Sequence, residues 1–494
     1  MDLKRKVIRQ SGIYVISNAA TYLISFVGGV ILARLLEPKD FGIIALVLAV
    51  IEFSSIPFAF SFKTTFIERQ MNNKNEISIL STLSFGIGVL YFFLLIVVGI
   101  VLFLINNTQF AAMFICYGFS TALAMISANL FTALLEFEFD YKYISFSQVM
   151  GAILSPLISI ILALNGFGVW SLAISYLSMN VLSFLLLWNF SRWKPIFSFD
   201  VGAAREFIRP GFAIMVARGL EVFVTKIDKL FLGVKFNKAE LGLYSRAYNL
   251  AELGHYFVSP AIVTMALPTY SRLKSDEKKL LETVKIVNYL IPRIIIPVVV
   301  LFAIFPKFFV VLIYGKKWAL TALPLQILSP YILLLPIFEN LKQFHYSIGK
   351  ATTVLKVRVF QSLSLLVSII VLSQLFGWYG VAIGIDVSIL VGVLAFNYFL
   401  SSNSVDIYLL SIIKYPFVYT LLSFVIMNIV NYLWENTFSF INILFFIGLI
   451  LIFYLGLLVI EKEKFVYSLD FFLADNKIYS RVKSALRISN NYKY

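Results

Sequence analysis

Apolar runs, each about as long as one bilayer crossing, recur along the chain and are separated by short polar segments. A helix rises 1.5 Å per residue, so crossing the hydrocarbon core takes about 20 residues. Fourteen stretches meet that requirement: 12–34, 41–62, 79–104, 110–134, 145–165, 168–190, 211–234, 241–268, 285–305, 318–346, 354–375, 379–400, 412–434 and 439–460. Their Leu, Ile, Phe and Val do not alternate strictly with polar residues, which fits helices and not the strands of an outer-membrane barrel. The first run follows Lys4, Arg5, Lys6 and Arg9, a flank like that of a signal peptide. It is too long for one and lacks a clear small-residue cleavage site, so a retained first span is expected.

The pattern repeats in the second half of the chain. Spans one and two join through Glu37-Pro38-Lys39-Asp40-Phe41-Gly42, and spans seven and eight through Asn237-Lys238-Ala239-Glu240-Leu241-Gly242. Spans five and six join through Asn165-Gly166-Phe167-Gly168-Val169-Trp170, and spans eleven and twelve through Phe376-Gly377-Trp378-Tyr379-Gly380-Val381. Six spans is an even number, so both repeats keep one orientation. The expected fold is an all-α polytopic membrane protein of about 14 transmembrane helices, with two parallel six-helix bundles and two added C-terminal helices. The expected segments are 1–200 for spans 1–6, 201–403 for spans 7–12, 404–461 for spans 13–14, and a basic cytoplasmic tail over 462–494.

Composition narrows the class. Of 494 residues, 60% are hydrophobic and 14% charged, against roughly 25% charged in soluble domains. A soluble enzyme is excluded, because the surface of such a chain could not be covered with polar groups. Cys116 alone makes no internal disulfide or Cys-rich metal site, and His255 and His345 leave little for zinc or histidine catalysis. No catalytic residue, metal or cofactor is expected.

The net charge of +15 is sorted by side. With both termini cytoplasmic, the inside segments hold 28 Lys and Arg and the outside segments seven, the bias that the positive-inside rule requires. Most of the excess therefore sets topology and is not a nucleic-acid surface. Six cations remain inside spans, all in the second half: Arg218, Lys226, Lys229, Arg246, Arg293 and Lys342. A charge at bilayer depth costs about 2.5–3.5 kcal/mol on insertion scales and usually faces a cavity or a partner.

Span seven carries three of them. Projected down the helix axis, Lys229 and Thr225 fall almost in line with Arg218, Lys226 lies to one side, and Glu221 and Asp228 lie to the other. Two readings follow for this ionic face: pairs such as Arg218 with Glu221 or Lys229 with Asp228 that only orient the helix, or a water-filled central cavity. The cavity is favoured, since a neutral Thr or Asn would orient a helix at lower cost. Arg293 sits between Pro292 and Pro297, and a proline-broken span borders a cavity or ends in a snorkelling cation. Lys342 either faces the cavity or snorkels to the interface. Acidic residues at depth are Glu52, Glu221, Asp228, Glu252, Glu339 and Asp386. Each either binds a coupling ion or pairs with a cation; Glu52 has no cation one or two turns away in its own span. His255 reads as a packed or interfacial residue. Tyr244, Tyr248 and Tyr346 are candidates for stacking on sugar rings or for interfacial anchoring.

Several segments together resemble the polysaccharide transporter (flippase) family of the multidrug/oligosaccharidyl-lipid/polysaccharide exporter superfamily. They are Leu32-Ala33-Arg34-Leu35-Leu36-Glu37-Pro38-Lys39-Asp40-Phe41-Gly42, Leu134-Leu135 with Phe139-Asp140-Tyr141-Lys142, the Gly166–Trp170 turn, Leu267-Pro268-Thr269-Tyr270-Ser271-Arg272-Leu273 and Tyr314-Gly315-Lys316-Lys317-Trp318. The look is of the colanic-acid or teichuronic-acid exporter type. The resemblance implies two lobes closing like a V around a central cavity in the bacterial cytoplasmic membrane. It also implies transport of polyprenyl-diphosphate-linked oligosaccharide, with a polysaccharide polymerase or export machinery and membrane lipids as partners and the chain itself a monomer. A cationic cavity suits that cargo, because Arg and Lys hold a diphosphate by charge-assisted hydrogen bonds. A drug or cation antiporter of the same superfamily is the alternative and would favour an acidic cavity. A membrane polymerase or ligase would need a catalytic group on a large outer loop, and the longest outer segment, Phe305–Lys317, has no Asp, Glu or His.

Overall fold

The computed structural model describes residues 3–70, 73–191, 196–198 and 200–401, with short helical pieces between 447 and 459. Among the described residues there are helices and turns and no strand. In chain order the helices are α1 (Leu3–Leu35), α2 (Pro38–Ser55), α3 (Phe62–Glu68), α4 (Lys74–Leu104), α5 (Thr108–Ile126), α6 (Thr132–Phe137), α7 (Tyr141–Leu164) and α8 (Val169–Phe190). They continue with α9 (Val201–Lys235), α10 (Lys238–Leu273), α11 (Glu277–Ile304), α12 (Pro306–Tyr314), α13 (Ala322–Ile327), α14 (Ser329–Ser347), α15 (Ala351–Phe376) and α16 (Tyr379–Ser401).

The chain is a multi-pass helical membrane protein. Among the described residues nine helices are long and apolar enough to cross a membrane, ten if the pair Lys316–Ile327 and Ser329–Ser347, bent by 52°, is one span. Helices α9 and α10 are longer still but carry the in-span charges. The first twelve expected spans each fall on helix. Spans 13 and 14 and the basic tail lie outside the described residues, apart from the short helical pieces between 447 and 459, of which Ile447 and Tyr454 pack against Ile296, Val300 and Phe305. The side chain of His255 also lies outside the described residues.

Two compact units divide the described residues. One runs to Ser245 and includes Val310–Ala319; the other comprises Arg246–Phe309 and the chain from Leu320. In the first unit, α1 packs on α7, α4 on α5, α7 on α8, and α9 on α2. Helix α2 buries Ile43, Ile44, Val47 and Ile51 against Tyr91, Met113, Phe114, Tyr117, Val169 and Ala173. The residues of α4 that face away, among them Leu90 and Phe93, are exposed, as a lipid-facing surface requires. In the second unit, α11 packs on α14, α14 on α16 and α15 on α16.

The repeated joints have a common construction. The Glu37 backbone N–H donates to Asp40 Oδ2 at 3.1 Å, and the Asn237 N–H donates to Glu240 Oε2 at 3.2 Å. Each acidic residue of the repeat thus closes a capping box over orphan amides at a helix start. The next residues, Phe41 and Leu241, are buried. Then Gly42 and Gly242 meet: a Cβ on Gly42 would overlap the Lys238 carbonyl oxygen, and one on Gly242 would overlap that of Pro38. The starts of α2 and α10 cross backbone to backbone, and only glycine permits it.

A second joint links two motifs far apart in sequence. Trp318 Nε1 donates to the Ala33 carbonyl at 2.7 Å, and Lys317 Nζ donates to the Arg34 and Leu36 carbonyls at 3.1 and 2.5 Å. In return Arg34 Nε and Nη2 donate to the carbonyls of Ile313 and Leu312 at 3.1 and 2.5 Å. The C-terminal ends of α1 and α12 therefore satisfy each other's unpaired carbonyls with cations, where the helix dipole favours them. Trp318 is buried against Phe41 and Tyr314.

Span ten differs from expectation. Expected as one helix over 318–346, it is broken between Ile327 and Ser329. Pro330 begins the second piece and contributes no N–H. Asp386 on α16 accepts the Tyr331 N–H at 3.1 Å and so caps the new helix start.

Gly42→Leu and Gly242→Leu are each expected to abolish accumulation of folded protein, while Gly86→Leu, at an open position on α4, leaves it near the wild-type level. Size-exclusion profiles of fluorescent fusions read this, and equal yields for all three would overturn the close crossing.

Candidate functional site

The ionic face expected on α9 is present in the first unit, and its charges are engaged. Arg218 Nη1 lies 2.9 Å from Glu221 Oε2, the i, i+3 pair that one turn of helix permits. Both side chains are about half exposed, so this pair contributes little stability. Lys226 Nζ lies 2.7 Å from Glu52 Oε1 on α2. The carboxylate that had no cation in its own span thus finds one on a neighbouring helix. Lys229, one turn along, is partly buried and also makes polar interactions. On this face Glu221 and Glu52 hold Arg218 and Lys226, and Lys229 is engaged beside them.

Asp228 is set apart from that face. It is 0% exposed and accepts the Tyr244 hydroxyl of α10 at 2.6 Å. Its other oxygen, Oδ1, has no hydrogen-bond partner among the described residues. In place of the pairing with Lys229, Asp228 takes this hydroxyl contact, because its edge of the helix points toward α10.

The remaining candidates lie in the second unit. Arg246 is half-buried and makes polar interactions, as does Glu252. Arg293 is 4% exposed; its Nη1 donates to the Tyr289 carbonyl at 3.0 Å and its guanidinium lies 3.6 Å from the Tyr289 ring centroid. Helix α11 runs unbroken through Pro292 and Pro297. The proline break expected beside Arg293 is therefore absent, and the arginine folds back on its own helix, held by a carbonyl and a ring face. Lys342 is paired: its Nζ lies 2.5 Å from Glu339 Oε2. Arg358 Nη2 lies 3.5 Å from the other Glu339 oxygen, and each of the three side chains is 14% exposed.

Of the aromatics, Tyr248 is buried and spends its hydroxyl on Tyr331 at 2.8 Å, while Tyr244 is buried over Asp228. Their ring faces are covered, so sugar stacking does not fall to them; Tyr346 is exposed. Tyr270 of the Leu267–Leu273 motif donates to Asn340 Oδ1 at 2.9 Å, and Asn340 Nδ2 donates to Asn288 Oδ1 at 2.9 Å. That chain ties α10, α14 and α11 together inside the second unit.

Sequence reasoning missed Arg358, which counts among the cytoplasmic cations although it lies at the start of the span expected over 354–375. A signal existed. In an antiparallel helical hairpin, residues equidistant from the turn lie level, and Lys342 and Arg358 are equidistant from Lys350.

Comparison with known proteins places this geometry. The family described as "Polysaccharide biosynthesis protein" matches residues 31–323. The lipopolysaccharide biosynthesis protein WzxC of Escherichia coli (strain K12) is 23% identical over 402 residues, covering 78% of each chain. The succinoglycan biosynthesis transport protein ExoT of Rhizobium meliloti (strain 1021) is 22% identical over 356 residues, covering 69% of this chain and 70% of that one. Among solved structures, the lipid II flippase MurJ in an inward closed conformation superposes with a TM-score of 0.71 at 15% identity, over 94% of this chain and 99% of that one. An inward-facing multidrug resistance MATE family transporter superposes with a TM-score of 0.64 at 17% identity, over 78% of this chain and 94% of that one.

Glu52→Gln strands the Lys226 ammonium and is expected to cost on the order of 1–3 kcal/mol of stability. Glu52→Gln combined with Lys226→Met removes both charges and is expected to recover most of it. Thermal unfolding of the purified variants measures the difference, and equal losses in the single and double variants would refute the pairing.

Proposed function

Because the chain belongs to the polysaccharide biosynthesis protein family, we propose that it is a flippase moving polyprenyl-diphosphate-linked oligosaccharide units across the bacterial cytoplasmic membrane for export of a surface polysaccharide. The observation that carries this reading is the ionic face of α9, where Arg218, Lys226 and Lys229 share one side of the span expected over 211–234 and the first two are held by carboxylates that a phosphate can replace. A diphosphate brings several acceptor oxygens and negative charge, which Arg and Lys hold by charge-assisted hydrogen bonds. The polyprenyl chain stays in lipid while the polar head crosses. The names of WzxC and ExoT, and the lipid II flippase MurJ, support a lipid-linked cargo.

The substrate site we infer is centred on Arg218, Lys226 and Lys229 of α9. Binding of the diphosphate exchanges Glu52 and Glu221 for phosphate oxygens on Lys226 and Arg218. Transport proceeds by alternating access of the six-span halves, 1–200 and 201–403, with both termini in the cytoplasm and a monomer as the working unit. The protein acts as a transporter and performs no covalent chemistry. Asp228, buried and without a cation partner among the described residues, is the carboxyl we assign to ion coupling, whereas Glu52, Glu221 and Glu339 serve in pairs.

A cation-coupled drug antiporter is the second reading, favoured by that buried Asp228 and by the MATE-like fold. Transport of a lipid-linked oligosaccharide into proteoliposomes separates the two, because an antiporter would move cationic drugs and leave that substrate behind.

Arg218→Glu and Lys229→Glu are each expected to abolish glycan export and to trap lipid-linked oligosaccharide on the cytoplasmic leaflet, with the protein still inserted and abundant. Normal export in both variants would sink the cationic-site mechanism. Asp228→Asn is expected to leave substrate binding intact while removing the dependence of proteoliposome transport on an imposed ion gradient; unchanged gradient dependence would end its assignment to coupling.

A further inference from the structure

The second unit holds a charged cluster that the α9 site does not use. Glu339 and Lys342 lie on α14, Arg358 on α15, and the two helices form a hairpin turning at Ile348–Lys350. Lys342 Nζ and Arg358 Nη2 grip opposite oxygens of Glu339 at 2.5 and 3.5 Å. Arg358 Nη1 donates to Gln361 Oε1 at 2.9 Å, and its guanidinium lies 4.6 Å from the ring centroid of the buried Phe338. The cluster keeps two cations against one carboxylate with little contact with solvent.

Its donor inventory is unspent. Arg presents five N–H groups and Lys three, and among the described residues three of these eight are directed at Glu339 and Gln361. One carboxylate cannot absorb the rest. A phosphate can, since its oxygens accept several charge-assisted hydrogen bonds and it brings the missing negative charge.

Depth points the same way. Lys342 is five residues from the end of α14, and Arg358 seven residues past the start of α15, so both lie about 8–10 Å from the hairpin turn. The headgroup layer of a leaflet is roughly 5–8 Å thick, which sets the cluster at the boundary where the phosphates of a membrane lipid reside. Around the turn the charge is also basic: the Lys274 ammonium sits beside Gly349, and Lys350 and Lys356 follow.

We propose that Lys342 and Arg358 form a loading site for the diphosphate of a polyprenyl-linked substrate in the cytoplasmic leaflet, with Glu339 as a resident carboxylate that the phosphate displaces. The site is distinct from the ionic face of α9 and precedes it in the transport sequence. The inference rests on the flippase reading and on the cytoplasmic placement of the 348–350 turn by charge bias. In the unloaded state Glu339 keeps the two cations paired. Arrival of phosphate frees the carboxylate, and onward movement of the substrate lets it return.

The test measures binding of farnesyl diphosphate to the full-length protein in phosphatidylcholine nanodiscs. Arg358→Gln and Lys342→Gln are each expected to weaken binding roughly tenfold or more, the worth of one or two charge-assisted hydrogen bonds. Glu339→Gln removes the competing carboxylate and is expected to tighten binding several-fold, an effect of opposite sign that a merely structural ion cluster would not give. If Glu339→Gln does not fold, Glu339→Gln with Arg358→Gln, which removes one charge of each sign, is expected to fold and to bind at least tenfold more weakly than wild type. Wild-type affinity in Arg358→Gln, Lys342→Gln or that double variant, or weaker binding in folded Glu339→Gln, overturns the site. Farnesol, equimolar inorganic pyrophosphate and phosphatidylglycerol distinguish the source of the phosphate. Failure of all three to displace farnesyl diphosphate supports a diphosphate lipid, and displacement by any one overturns that assignment. Wild-type protein that binds no farnesyl diphosphate at all, together with normal glycan export after deletion of the gene, defeats the flippase reading itself. Binding that Arg218→Glu weakens and Arg358→Gln spares defeats only the loading site.

Discussion

Inside hydrocarbon a charged or polar group must find its partner within the protein, because no water is there to supply one. That constraint organises what is seen in this chain. Lys226 is held by a carboxylate from another helix, Lys342 and Arg358 share Glu339, and Arg293 lies on the carbonyl and the ring of Tyr289. The same requirement explains the buried chain of Tyr270, Asn340 and Asn288, and the aspartate from α16 that caps the broken span.

The function we propose draws on pairs that a phosphate can replace. On α9 Arg218 and Lys226 each hold a carboxylate, and on the α14–α15 hairpin two cations share one. Asp228 is the reverse case, a buried carboxyl with a hydroxyl on one oxygen and, among the described residues, no hydrogen bond to the other. A site for a transported anion has to be of this kind. Full neutralisation would leave nothing to attract the substrate, and wholly unpaired cations would be too costly to insert. Resident carboxylates that step aside for phosphate meet both demands.

Much of this is legible in the sequence. Run lengths locate twelve spans that the structure builds as helix. The repeated acid–apolar–glycine joint marks two capping boxes and the point where two backbones cross. The Arg218–Glu221 pair is readable because i, i+3 spacing is a local property of a helix. The partner of Glu52 is not, since nothing in the spacing of α2 announces a lysine on α9. Arg358 escapes notice for a related reason: distance from a turn shows along one helix and not across the hairpin. The motifs near Arg34 and Trp318 are readable as signatures, but their common role, each capping the other's helix end, depends on two segments distant in sequence meeting.

By itself, then, the sequence determined that the chain lives in a bilayer, roughly where its apolar helices lie as far as Ser401, and most of the charges they carry. Those properties depend on hydrophobicity and helical period, which act over one or two turns. Only the tertiary structure decided that Lys226 meets Glu52, that two of the tyrosines are covered, and that Arg358 joins Glu339 and Lys342. Those outcomes depend on contacts between helices distant in sequence, and Coulomb energy at low dielectric changes steeply with separations that no one-dimensional pattern records.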